Sequence, residues 1–189
     1  MRTEKQNLRE QALRHRKLIH TSPECSEELK SLLFRHFEFT KTNTVGCYWP
    51  INYEFDVKPV MEALIKKGAV VALPVMQEEK KPLIFIRWDG ESPLQKKKFG
   101  VLEPHFDTNT DIVKPDTLLV PLLAFDRKGF RLGYGGGFYD ATIEAIEADR
   151  QVTTIGIAYN EQLCLFPIPV ENHDKKLDYV ITPTNLYTF

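Results

Sequence analysis

The sequence predicts an α/β layered fold, a single domain whose largely parallel central sheet is flanked by helices. Apolar strand-like runs alternate along the chain with segments of helical period. No internal repeat or low-complexity linker divides it. Its 189 residues suffice for one domain with a sizeable core.

The elements follow in order. Residues Glu4 to about His20 read as the first helix. A second is expected from Ser22-Pro23, because Ser caps helices well and Pro suits the first helical position; it continues through "EELKSLLFRHF". "TVGCYW" reads as a short buried strand. "VKPVMEALIKKG" is a predicted helix with Lys66 and Lys67 in its last turn and Gly68 as its stop. "AVVALPVM" and "PLIFIRW" are strands. "SPLQKKKFGVLEPHFDTNTD" carries turn chemistry and predicts no long element. "TLLVPLLAF" is an apolar strand, "YDATIEAIEADR" a helix, "VTTIGIAY" a strand and "DYVIT" a last short strand.

Composition excludes several functional classes. Hydrophobic residues are 42% and charged residues 27%, ordinary for a globular protein, and the formal net charge is −1. No global basic field points to nucleic acid, and no apolar run approaches a membrane span. The charged start "MRTEKQNLREQALRHRK" lacks an apolar core, so no secretory signal is expected. Cys25, Cys47 and Cys164 show no CxxC spacing, which fits a reducing, cytoplasmic setting with buried structural thiols. The five histidines show no metal-ligand spacing.

Residues 127–140 read "RKGFRLGYGGGFYD" and hold five of the chain's ten glycines. The stretch lies between a predicted strand and a predicted helix, where open α/β sheets bind ligands. Successive N–H groups in such a turn make an anion-binding concavity, and the helix N-terminus adds a favourable dipole. A Walker A loop is excluded because no Lys-Ser/Thr follows the glycines. A dinucleotide fingerprint is excluded because Phe138 stands where the third glycine belongs. Phosphate binding is the expectation; a tight connection without a ligand is the alternative.

On a helical wheel of the first helix, Lys5, Arg9 and Arg16 fall within about 40° of one another, flanked by Leu8, Ala12, Leu13 and Ile19. The cations thus lie on the packing side. An anion, or carboxylates from elsewhere in the fold, must meet them; ordinary snorkelling at the edge of the stripe is the alternative.

"GFRLGYGGGFYD" closely resembles the signature of the 5-formyltetrahydrofolate cyclo-ligase family, also called methenyltetrahydrofolate synthetases. Further pieces agree in order: "KQNLR" (Lys5 to Arg9), "EFD" (Glu54 to Asp56), "FGVLEP" (Phe99 to Pro104) and "PVENHDKKLDYVIT". The resemblance spans nearly the whole chain. Gly136 departs from members that carry Lys there, and Ala141 from many bacterial members that carry Arg.

What the resemblance implies is ATP- and Mg²⁺-dependent closure of 5-formyltetrahydrofolate to 5,10-methenyltetrahydrofolate, with release of ADP and phosphate. The competing expectation keeps the phosphate loop but changes the acceptor, giving a phosphotransferase or ligase on another small molecule. A non-catalytic binding module is a third. Small-molecule partners are expected, with no nucleic acid and no membrane, in a monomer or weak dimer.

The resemblance also assigns roles. Lys5, Gln6, Asn7, Leu8 and Arg9, with Arg131, Leu132, Gly133, Tyr134, Gly135, Gly136, Gly137, Phe138 and Tyr139, are expected to hold ATP. Arg16 has the direction for it but weaker family support. Arg131, Tyr139 and Asp140 are the catalytic candidates. Asp140 and Asp178 are the Mg²⁺ candidates, since this ion takes one or two carboxylates plus phosphate oxygens and waters. Asp140 could instead be an acid favoured by a helix dipole, and Asp178 simply the start of a strand; Asp174 is a further candidate, or shapes a turn. Trp49 and Glu54, with Tyr134 to Phe138, are the expected folate contacts. Trp49 could equally be core at a strand end, and Glu54 a surface residue before a helix. Gln95 to Lys98 read as a solvated loop rather than a site for a polyglutamate tail.

Overall fold

The computed structural model describes residues 3–78, 81–97, 100–107 and 110–189. Lys98 and Phe99 lie outside the described residues. Helix α1 spans Glu4–Arg16 and opens on a capping box: the Thr3 hydroxyl accepts the Gln6 N–H, and the Gln6 side chain accepts the Thr3 N–H. It stops earlier than the periodicity predicts. Helix α2 is Pro23–His36, with Pro23 at its first position. Strand β1 is Thr44–Gly46, helix α3 Lys58–Lys66, β2 Val70–Val75 and β3 Ile84–Trp88.

The segment predicted to lack a long element holds two short strands, β4 (Leu94–Lys96) and β5 (Leu102–Pro104), which form a hairpin; β6 (Ile112–Val113) follows it directly. Strand β7 is Thr117–Pro121. The predicted strand "TLLVPLLAF" breaks there, and its tail becomes β8 (Ala124–Phe125), paired with β9 (Arg131–Leu132). Helix α4 is Phe138–Glu147, β10 Thr153–Ile157, β11 Tyr179–Ile181 and β12 Leu186–Thr188.

The main sheet runs β12-β11-β10-β7-β1-β2-β3-β6. Its five parallel strands run β11-β10-β7-β1-β2; β12 at one edge and β3 near the other run against them, and β6 pairs antiparallel with β3. Alternation along the strands feeds two cores. Val71, Leu73 and Leu119 face α2 and α3 (Leu29, Leu33, Val60, Met61), whereas Ala72, Leu118 and Val120 face the side of α4 (Ile143). Helix α1 belongs to neither: Leu8 and Ala12 pack on a third cluster of Ala124, Leu132 and Ile168. The cysteines are free; Cys47 is buried as expected, whereas Cys25 and Cys164 are only half-buried. No described helix is long and apolar enough to cross a membrane.

The order of the parallel strands reverses between β1 and β7, because the chain proceeds to β2 on one side and to β10 and β11 on the other. Such a switch point opens a crevice at the carboxyl ends of the strands.

Candidate active site

A cleft of about 630 Å³ occupies that crevice, lined by Tyr48 and Trp49 after β1, Met76 after β2 and Pro121 at the end of β7. The glycine stretch forms a second wall, with residues 131–140 all contributing, and α1 supplies Lys5 and Arg9.

Gly135 has φ +99° and Gly137 φ +68°, so both take left-handed conformations that favour glycine. At Gly135 space adds a second reason. A Cβ there would lie 3.1 Å from Arg9 Cζ, so the loop backbone sits directly against the Arg9 guanidinium. Arg9 Nε also donates to the Gly133 carbonyl at 3.0 Å. Gly137 caps α4, which places Phe138, Tyr139 and Asp140 in its first turn and aims that turn's N–H groups towards the loop.

The wheel's basic stripe turns inward as expected. Lys5 and Arg16 are the buried residues of α1. Lys5 Nζ bonds Asp174 Oδ2 at 2.5 Å and pairs with Glu171 at 3.3 Å. Burial works against ionisation of Asp174. The hydrogen bonds from Lys5 and the Glu171 N–H, with the Lys5 and His173 charges, outweigh it and hold the carboxyl below the usual aspartate range. Arg16 diverges from the expectation: its guanidinium reaches Leu122 and Asn52 carbonyls and the Tyr134 hydroxyl.

Arg131 Nη2 meets Asp140 Oδ1 at 2.7 Å, and its Nη1 donates to the Lys175 carbonyl at 2.8 Å. Burial pulls the Arg131 pKa down, and the Asp140 charge opposes this. Asp140 Oδ1 also accepts the Lys175 N–H at 2.9 Å. Both contacts fall on Oδ1, and Asp140 lines the cleft. The Tyr139 hydroxyl is buried and has no hydrogen-bond partner among the described residues. Burial, then the Glu54 charge, pushes its ionisation up, so it is a donor at neutral pH.

The opposite wall is aromatic. Trp49 lines the cleft and also packs edge-on against Trp88, with centroids 5.7 Å apart. It is thus both a cleft wall and part of the core margin. Glu54 is not a surface residue: it is 8% exposed and four residues ahead of α3. Its Oε2 accepts the Ile51 N–H at 2.9 Å. Burial raises its pKa to about 7, against the lowering effects of the Ile51 N–H, the Arg16 charge and a hydrogen bond with Tyr134.

Several expected contacts fall elsewhere. Gln6 and Asn7 are exposed and Leu8 packs on the third cluster, because only one face of α1 meets the cleft. Asp178 is not brought to the cleft. Its Oδ2 accepts both the Thr154 N–H and hydroxyl at 2.8 Å, at the amino ends of β10 and β11, while the cleft lies at the carboxyl ends. Conversely, Glu171, His173, Met76, Leu83 and Val101 line the cleft without having been singled out. Glu171 and His173 lie in the closing segment "PVENHDKKLDYVIT" and Val101 in "FGVLEP", Met76 and Leu83 beside β2 and β3, and they meet only through the topology.

The family model for the 5-formyltetrahydrofolate cyclo-ligase family matches residues 1–183. The chain belongs to this family. It is 30% identical over 167 residues to the 5-formyltetrahydrofolate cyclo-ligase of Escherichia coli K12, covering 87% of this chain and 91% of that protein. It is 36% identical over 145 residues to the enzyme of the same name from Mycolicibacterium smegmatis, covering 74% and 73%. Among solved structures, Aquifex aeolicus 5,10-methenyltetrahydrofolate synthetase superposes with a TM-score of 0.79 at 27% identity, covering 98% of this chain and 93% of that one. The family's signature residues, from Arg131 to Asp140, are the ones that form the glycine wall of the cleft.

Proposed function

We propose that this cyclo-ligase family member converts 5-formyltetrahydrofolate to 5,10-methenyltetrahydrofolate at the expense of ATP. The observation that carries the reading is one continuous cleft with two unlike walls. One offers backbone N–H groups, Lys5, Arg9 and Arg131, which suit a triphosphate; the other offers Trp49 and a buried Glu54, which suit a flat heterocycle with polar edges.

The chemistry needs both walls. A formamide carbonyl is a weak electrophile and its oxygen a poor leaving group. Transfer of the γ-phosphoryl to the formyl oxygen releases ADP and makes the oxygen a phosphate. The substrate's N10 then adds to the formyl carbon, N10 loses its proton, and phosphate leaves with its bonding pair. The nucleophile belongs to the substrate, so the chain's task is positioning and charge neutralisation.

The glycine wall and the first turn of α4 suit the phosphates, with Arg131 and the unpartnered Tyr139 hydroxyl as further donors. Glu54, with a pKa of about 7, is matched to accepting the N10 proton near neutral pH. Among the described residues no cluster of three His, Cys, Asp or Glu could hold a metal by itself. This donor set fits Mg²⁺ that arrives with nucleotide, since one or two carboxylates are enough when phosphate oxygens and waters complete the shell. Asp140 and Asp174 are the residues that would hold it; the ion would supply charge neutralisation at the phosphates.

Purified protein incubated with ATP, Mg²⁺ and 5-formyltetrahydrofolate is expected to form a product absorbing in the near ultraviolet, with one ADP per turnover. Binding of ATP without conversion would instead favour a different acceptor.

A further inference from the structure

We propose that Arg16 is a positioning residue that ties the Asn52–Glu54 turn to the glycine loop, so that folate and nucleotide each favour the other's binding. This rests on the function proposed above.

Arg16 is 2% exposed, and among the described residues its guanidinium bonds two backbone carbonyls and a hydroxyl and pairs with no carboxylate. Nη1 donates to the Leu122 carbonyl at 3.2 Å, which anchors the guanidinium to the chain leaving β7. Nη2 donates to the Asn52 carbonyl at 2.7 Å and to the Tyr134 hydroxyl. One nitrogen therefore touches both walls of the cleft. Asn52 belongs to the turn that carries Glu54, and Tyr134 lies between Gly133 and Gly135 of the phosphate wall.

The turn it holds is an unusual one. Asn52 and Tyr53 have φ of +47° and +63°, two successive left-handed residues without a glycine. Their conformation is closed by Glu54 itself, whose N–H donates to the Ile51 carbonyl at 2.8 Å and whose carboxylate takes the Ile51 N–H. The turn, the Glu54 carboxylate and the Asn52 carbonyl thus form one unit, which Arg16 ties to the glycine loop through the Tyr134 hydroxyl that also bonds Glu54. The Tyr134 ring also lies against the guanidinium, its centroid 5.4 Å from Cζ. A planar fork bonded to three groups at fixed angles cannot follow one wall without pulling on the other. Phosphates that order the glycine loop thereby set the turn for folate, and the effect must be reciprocal.

The test measures the affinity of a non-hydrolysable ATP analogue with Mg²⁺, alone and with saturating 5-formyltetrahydrofolate, by titration calorimetry. In the unaltered protein folate is expected to tighten the analogue by about 5- to 150-fold, the usual range for coupled sites. In Arg16→Lys the charge stays but the fork is lost, and the ratio is expected to fall to within about twofold of unity. Tyr134→Phe removes only the hydroxyl that Arg16 and Glu54 both contact, and is expected to lower the ratio too; if Arg16→Lys does not fold, an unchanged ratio in Tyr134→Phe overturns the proposal. An arginine that merely supports the fold would weaken the analogue equally with and without folate, leaving the ratio unchanged. An unchanged ratio in the folded variants, or a ratio of one in the unaltered protein when both ligands bind, overturns the proposal alone. Failure of 5-formyltetrahydrofolate to bind while the analogue still does overturns the functional reading, and the coupling with it.

Discussion

The two walls of the cleft hold their charges in opposite ways. On the glycine wall charges are matched within the protein: Arg131 with Asp140, Lys5 with Asp174 and Glu171. On the aromatic wall Glu54 is buried with no ion pair to a cation among the described residues, and burial raises its pKa to about 7. The first wall is thus built before any ligand arrives, whereas the second carries a carboxylate that burial destabilises when ionised. A wall for a highly charged ligand must be preorganised, and a wall that handles one proton must be poised.

The largest effect is expected from breaking the matched wall. Asp140→Asn keeps an acceptor for Arg131 and the Lys175 N–H, so the fold survives, while turnover falls by about 100- to 1,000-fold. Near-normal steady-state rates would remove Asp140 from the charge balance at the phosphates. Asp140→Ala goes further and leaves Arg131 buried without its partner, a loss of about 3–5 kcal/mol readable by denaturant titration.

Glu54→Gln addresses the poised wall and sharpens the contrast, because its two effects have opposite signs. Folate binding is expected to weaken by at least about tenfold with ATP binding little changed. Equal losses for both ligands would make Glu54 a structural residue. Stability moves the other way. With a folded-state pKa of about 7 against an ordinary 4.5, the folded protein holds more protons than the unfolded chain between those values, so stability falls as pH rises through that window. Ionised Glu54 costs roughly 3 kcal/mol at pH 8. Glu54→Gln is therefore expected to raise Tm at pH 8 and to flatten its decline between about pH 5 and 7, as scanning calorimetry across that range would show. In the unaltered enzyme kcat/KM for folate should rise with pH through about 7, where Glu54 becomes a proton acceptor, and the variant should lose that limb.

Gly135→Ala is a smaller perturbation of the matched wall. A left-handed φ with a Cβ costs about 1–2 kcal/mol, and the methyl group would meet Arg9. A lower Tm with a raised KM for ATP is expected; an unchanged KM would mean that Arg9 can move aside freely. Asp178→Asn should have the least effect on chemistry. It weakens acceptance of the two Thr154 contacts, for about 0.5–1.5 kcal/mol of stability, with turnover within about twofold. Abolished turnover would place Asp178 at the phosphates after all.

The matched wall was the more legible of the two in the sequence. Clustered glycines, Arg131 and the inward stripe of α1 all carry local signals, and the signature from Gly129 to Asp140 is nearly continuous. The wheel could say that Lys5 and Arg16 point inward but not what meets them, because Asp174 and Leu122 are distant in the chain. The aromatic wall was legible only by resemblance. Nothing local marks Glu54 as buried, since the cleft around it is completed by residues 131–140, far along the chain. In the fold, alternation of strands and helices conveyed the parallel centre. It could not convey strand direction at the edges, so the reversed β3 and β12 escaped it. The break in "TLLVPLLAF" escaped it too, because an unbroken apolar run gives no sign that its tail pairs with β9.

Helix α1 draws its attachment from groups that lie far ahead of it in the chain: Lys5 and Asp174 are 169 positions apart, Arg9 and Gly133 124. During synthesis on the ribosome it therefore emerges well before its anchors exist. Its docking waits for most of the chain, so the cleft it helps to wall is completed late, together with the last strands of the sheet.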